Sequence, residues 1–316
     1  MQPNIPFAIG AGFASAVMLT AAARAPGIAA PLLFLVGLPL AVSGLASNAT
    51  TSVAAAFVGS LLLGLVVGLP AAFAFACFIG LPTAILIHRT LLHRDSADGT
   101  TEWYPPGRIA LWAAIIGGCI SAAGLALASG GGDLEKLKAG LSDGVERSLQ
   151  SGVWGLGTNA PVTTDQKNQI VQVMLTLLPG TLATLSMLSL IACLWLGGHM
   201  ALAGGRLVRP WPDIATLAFP PGVPLLLAVT LGAGFMLDGL LRMIAFGFSG
   251  ALFAGYVMIG LAIIHHTSRG FALRGPLLSL VYAALVVFSG GATLVLALAG
   301  LVDSFMPLRR LSTHSE

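Results

Sequence analysis

Residues 50–88 read TTSVAAAFVGSLLLGLVVGLPAAFAFACFIGLPTAILIH. The stretch holds no Asp, Glu, Lys or Arg, and its one break is Gly68-Leu69-Pro70. An apolar run of roughly 17–25 residues crosses a bilayer as a helix. The reading is therefore two spans, 50–68 and 71–88, joined by a tight turn with no polar loop. Such a turn is tolerated at the membrane edge or within a bundle, where other groups satisfy its backbone.

The same pattern extends in both directions. Of the 316 residues, 9% are charged and 56% are hydrophobic, and the mean hydropathy is +0.92. Charges sit in short clusters between apolar runs. Spans are expected near 7–23, 28–46, 50–68, 71–88, 109–129, 170–198, 222–241, 246–266 and 277–300. If 246–266 is kinked or re-entrant, the count is eight. The fold class is all-α: a polytopic transmembrane helical bundle of 8–9 spans with one long amphipathic extracytoplasmic loop. Residues 1–316 form a single transmembrane domain. It divides into a five-helix part (7–129), the loop (130–169) and a C-terminal helical part (170–310). No Lys or Arg precedes Arg24, so the first run is a retained span and not a cleaved signal peptide.

Orientation follows the Arg in short loops. One side holds Arg89, Arg94 and Arg108, then Arg206 and Arg209, then Arg269 and Arg274. The other holds Arg24, Arg242 and the mixed loop 130–169. The N-terminus and the Arg-rich loops are placed in the cytoplasm, and the protein in the bacterial cytoplasmic (inner) membrane as a multi-pass chain. Nine spans would leave Arg309 and Arg310 outside, against the rule, whereas eight would not.

In the loop, Leu134, Leu137, Leu141, Val145 and Leu149 form one apolar stripe at helical spacing. The reading is an amphipathic helix on the membrane surface or capping the bundle, or else a plain connector helix. Thr163-Thr164-Asp165 offers an N-cap for the next span, and Pro179-Gly180 should kink it.

Two constellations are candidate sites. Ala8, Gly12, Ala16 and Thr20 place small side chains at four-residue spacing, a helix-docking face for another helix of this chain or for another membrane subunit. Asp238 and Arg242 stand four apart between apolar runs, the one interior charge pair. They are a candidate polar site at a broken helix, or an interfacial pair at a span end. His88, His199, His265 and His266 fall at span ends. Trp103, Tyr104, Trp154, Trp195 and Trp211 resemble an aromatic belt, with Arg209-Pro210-Trp211-Pro212-Asp213 a stiff turn. Cys77, Cys119 and Cys193 lie in separate runs, without disulfide or zinc spacing. No P-loop, HExxH, GxSxG or paired-carboxylate cluster occurs. No catalytic residue, metal or cofactor is expected, the chain reads as no enzyme, and no basic run suggests nucleic acid. Outside the Asp238 region no span is expected to carry Asp, Glu or Lys, which disfavours ion-coupled carriers.

Leu194-Trp195-Leu196-Gly197-Gly198, the run from Gly205 to Asp213, Gly260-Leu261-Ala262-Ile263-Ile264-His265 and the end from Gly300 to Phe305 with Arg309-Arg310 resemble YybS-like bacterial membrane proteins. The resemblance covers roughly 190–310 and rests on Arg206, Arg209, Pro210, Trp211, Asp213, His265, Asp303 and Arg309. It implies a fold similar to the S components of energy-coupling-factor vitamin transporters. Those subunits dock through a small-residue first helix, where Ala8, Gly12 and Ala16 stand here. The expected partners are the lipid bilayer and another membrane subunit or separate ATPase. On that reading the chain is a small-molecule-binding transport subunit of unknown substrate. The alternative is a structural or assembly scaffold for envelope membrane proteins that binds no solute. A sealed polar cavity would favour the first, and a solid core with exposed small-residue faces the second.

Overall fold

Capping residues set the helix ends that hydropathy only approximates. The computed structural model describes residues 2–150 and 163–306. α1 (Ile5–Arg24) starts at Asn4, whose side chain accepts from the Phe7 N–H. The next crossing is broken. α2 (Pro26–Phe34) stops and α3 (Leu38–Leu45) restarts, because Pro39 has no N–H with which to continue the ladder. The carbonyl of Phe34, at the end of α2, accepts a 2.6 Å bond from the Ser189 hydroxyl, which satisfies a group left without a helical partner. α4 (Ala49–Val66) begins on the Asn48 cap. Gly68, at φ 124°, makes the polar-free turn that most side chains would resist. α5 (Leu69–Phe75), a π-helical turn (Ala76–Gly80) and α6 (Leu81–Thr90) complete that crossing.

A hairpin of β1 (His93–Asp95) and β2 (Thr101–Trp103), with His93 opposite Trp103, leads into α7 (Pro106–Ala128). α8 (Leu134–Gln150) is amphipathic. α9 (Thr164–Ala203) opens on a reciprocal Thr163–Gln166 cap and continues through Pro179 as one 40-residue helix. α10 (Val223–Met236), α11 (Gly239–Thr267), α12 (Arg274–Val287) and α13 (Ser289–Asp303) follow.

Among the described residues, seven segments are long and apolar enough to cross a membrane, and α10, α12 and α13 are shorter. All-α architecture is thus shown, with two corrections to the expected spans. The run 222–241 contains a break at Leu237-Asp238, and 277–300 divides at Phe288 into α12 and α13. By contrast, 246–266 lies inside one continuous helix.

Packing follows the small residues. Lipid tails are as apolar as Leu, so helices in a membrane associate through close contact. Around α1, α3 and α4, the buried Ala8, Ala11, Ala16, Leu40, Ala55, Leu63 and Phe75 form one cluster. The larger core joins α7, α9 and α11 around Ala113, Ala183, Met187, Leu252 and Tyr256. There Gly250 meets Gly180 so closely that a Cβ on it would stand 2.7 Å from the Gly180 Cα.

Contacts also fix the heights of the broken elements. Ser249 bonds to Thr230 across α10 and α11, and Gly234 faces Phe246. The antiparallel register therefore sets Val223 beside the middle of α11. Gly260 faces Leu296 and Gly300 faces Tyr256, so α13 runs back along α11 and also stops near its middle. The two broken ends share a crevice of about 360 Å³ containing Gly222, Ile259 and Asp303. α12 adds no crossing, since α13 begins level with the end of α11 at a rise of about 1.5 Å per residue.

Asn4 N–H donates to Thr51, Val208 N–H to the Leu45 carbonyl and Arg209 to the Thr90 carbonyl. The N-terminus, the 45–49 turn, the β-hairpin and the 204–213 loop therefore share one end of the bundle. That end also carries Arg89, Arg94, Arg108, Arg206, Arg269 and Arg274. α8 and the Leu237-Asp238 turn lie at the opposite end.

Candidate functional site

The small-residue row on α1 is occupied. Ala8 and Ala16 are buried, and a Cβ on Gly12 would stand 2.5 Å from the Ala55 carbonyl oxygen and 2.8 Å from the Val58 Cβ. Thr20 bonds back to the Ala16 carbonyl. The docking face exists, and its occupant is α4 of the same chain; it is not left open for another subunit.

Asp238 and Arg242 do not form the expected ion pair. Asp238 precedes the first turn of α11 in extended conformation and its side chain makes no capping bond. Both residues are exposed, and no ion pair joins them among the described residues. The i,i+4 geometry presumes one helix through both positions, and the helix begins between them. Arg242 instead lies over the Phe246 ring, 5.6 Å from its centroid.

That ring lies at one end of a large opening in the bundle. A lateral groove of about 800 Å³ runs between α9 and α10–α11. Leu185, Leu188, Leu227, Leu231, Phe246 and Phe253 give it an apolar wall, and Thr176, Thr181, Thr184, Ser249 and Thr293 add scattered hydroxyls. At the α8 end it meets a second crevice of about 320 Å³, lined by Glu135, Lys138, Gln172, Thr176, Arg242 and Phe246. Thr176 and Phe246 line both. α8 roofs the crevice by burying Leu137 and Val145 and by pairing Glu146 with Lys167; that ammonium holds the Glu146 carboxyl below its usual range. Of the polar residues lining the crevice only Arg242 is singled out by the sequence. Nothing in the sequence marks Lys138 or Gln172, and only the apolar stripe of α8 points to a helix lying over them.

The residues carrying the family resemblance gather largely at the other end. Arg209 is 6% exposed and donates to the Thr90 carbonyl at 3.1 Å. Burial lowers its pKa. Pro210 and Trp211 line an apolar cavity of about 120 Å³ with Thr90, Ile109 and Leu194. Trp211 packs inward on Gly198 and His199. Asp213 accepts from Arg269 at 2.6 Å, which lowers its carboxyl pKa. His265 bonds to the Tyr282 hydroxyl. Arg206 is exposed, and Asp303 lies apart, at the mid-height crevice. Arg309, Arg310 and Trp154 lie outside the described residues. No three His, Cys, Asp or Glu side chains converge as a metal site among the described residues.

No curated protein and no solved structure is significantly similar to the chain. A family model described as "Predicted membrane protein (DUF2232)" matches residues 13–304, which takes in the groove, the crevice beneath α8 and the arginine loop. With nearly its whole length matched, this helical membrane protein belongs to the DUF2232 family.

Proposed function

We propose that the chain is a non-enzymatic, membrane-embedded binding subunit for a lipid-like amphiphile. The carrying observation is the continuity of an apolar lateral groove with a polar crevice through Thr176 and Phe246. A groove of this size, apolar along its length with a few placed polar groups, suits a small hydrophobic ligand. The solute's tail lies along Leu185, Leu231 and Phe253. Its head, an anion, sits at Arg242, whose guanidinium can meet it through charge-assisted hydrogen bonds, beside Lys138, whose ammonium is shared with Glu135 at 3.4 Å. A freely soluble polar vitamin is a poorer fit than an amphiphile, given this apolar lining. If the subunit moves its solute, the energy comes from a separate ATPase. The arginine-rich end lies in the bacterial cytoplasm and the α8 end outside, by the bias of short-loop arginines.

The test is what co-purifies. Full-length protein extracted in mild detergent is stripped with organic solvent and the extract analysed by mass spectrometry. One amphiphile should be enriched over bulk membrane lipid. Thr184→Trp, which fills the groove, should abolish the enrichment, and Arg242→Gln should reduce it for acidic species. An extract matching bulk lipid in parent and variants alike refutes the reading and leaves the scaffold alternative, which the closely packed α7–α9–α11 core supports.

A further inference from the structure

At the bundle end opposite α8, three arginines are held by aromatic rings and lack an acidic partner. The Arg89 guanidinium stacks on Trp112 at 4.3 Å, Arg108 lies 5.9 Å from the Tyr104 ring and Arg209 lies 5.9 Å from Trp103. Trp112 Nε1 donates to the Tyr104 hydroxyl at 3.1 Å, which ties the rings into one shelf. The carboxylates nearest in sequence are engaged elsewhere: Glu102 with Arg94, Asp213 with Arg269, Asp95 with Thr101 and Asp98 with Thr100. No ion pair reaches Arg89, Arg108 or Arg209 among the described residues.

The hydrogen bonding is incomplete as well. Arg209, nearly fully buried, uses one donor on the Thr90 carbonyl, whereas a guanidinium carries five. The bond caps α6 and puts the cation near the negative end of that helix, which offsets part of its burial cost. The buried Arg89 Nε has no acceptor at all. A buried, uncompensated cation is expensive, so the shelf is short of an anion. Beside it, a crevice of about 370 Å³ opens under the hairpin, lined by His93, Trp103, Tyr104, Arg108 and the Arg94–Glu102 ion pair; of the three arginines only Arg108 lines it.

We propose that the Arg89–Arg108–Arg209 shelf binds a phosphate group, supplied by the diester headgroup of an anionic phospholipid or by a soluble phosphate ester. Guanidinium forks match phosphate oxygens in paired hydrogen bonds. The rings lie beside the three guanidiniums, and the exposed Arg108 is the one most open to a ligand. The shelf stands at the end of the bundle, the height at which headgroup phosphates lie. It is separate from the groove mouth at α8, and it stands or falls independently of the amphiphile reading.

The test is native mass spectrometry of the full chain titrated with phosphatidylglycerol and with dioleoylglycerol, which lacks the phosphate, repeated with glycerol 3-phosphate as competitor. The parent should prefer phosphatidylglycerol by about tenfold, the worth of one charge-assisted bond. Arg209→Gln and Arg108→Gln should each erase the preference. Arg108 is exposed and caps no helix, so its variant keeps the test valid if loss of Arg209 impairs folding. Displacement by glycerol 3-phosphate at equal potency supports the site and assigns it to soluble esters; failure to displace assigns it to lipid. Equal binding of both lipids by the parent, or an intact preference in both variants, overturns the proposal.

Discussion

Gly12 shows how much a single hydrogen atom decides. A side chain there must displace backbone of α4, because the Ala55 carbonyl and the Gly59 nitrogen crowd the Cβ position. Gly12→Leu should cost about 1–3 kcal/mol, read as a lower melting temperature in detergent, whereas Gly10→Leu, with nothing within 4 Å, should melt like the parent. Equal melting of the two variants contradicts the α1–α4 contact. The row was legible in the sequence; its occupant was not, because spacing says that a helix docks and nothing about whose. Asp238 and Arg242 misled for the converse reason, since the charge spacing is visible and the break between the residues is not. Asp238→Asn should therefore leave stability unchanged. Asp213 and Arg269, far apart in sequence and invisible to any spacing rule, do pair. They are about half exposed, so Asp213→Asn should cost at most about 1 kcal/mol. The folded-state pKa of Asp213 lies below 3.8. Its contribution is thus full above that ordinary value and fades as pH falls through the lowered one. Parent and variant melting curves should converge in acid and stay apart at neutral pH.

At the scale of elements, hydropathy locates apolar segments and is blind to turns within them. The break before α11 uses an extended Leu237 and a left-handed Gly239 at φ 63°. The break at Phe288 precedes Ser289-Gly290-Gly291, three poor helix formers. Neither introduces a charge that would interrupt an apolar run, apart from Asp238 itself. The stripe on α8 was legible because periodicity survives whatever the helix packs on, and the structure selects the capping role. Leu137 and Val145 are 4% and 3% exposed against Leu125, Met243 and the side of α9. Leu137→Ala should therefore cost about 2–5 kcal/mol and undock α8 first. Hydrogen exchange across 134–148 should accelerate while α11 stays protected; exchange unchanged in both helices would show that α8 is not held by this contact.

For the whole molecule, sidedness and groove stand together. Seven arginines occupy the short connections at the end shared with the N-terminus, whereas the short turns at the other end hold Arg24 and Arg242. In a cysteine-free background, Ser142→Cys on α8 should react with an impermeant thiol reagent on spheroplasts. Ala97→Cys in the hairpin loop should react only after lysis; the opposite pattern inverts the protein and its groove. The central claim, that the groove selects one amphiphile, is tested most directly by photo-crosslinking in native membranes. A benzophenone amino acid is placed at Phe253 in the groove, or at Phe57, which is 69% exposed on the outer face of α4. Adducts are then identified by mass spectrometry. The account predicts one dominant acidic amphiphile at Phe253 and a mixture of bulk lipids at Phe57. The same bulk mixture at both positions would contradict it.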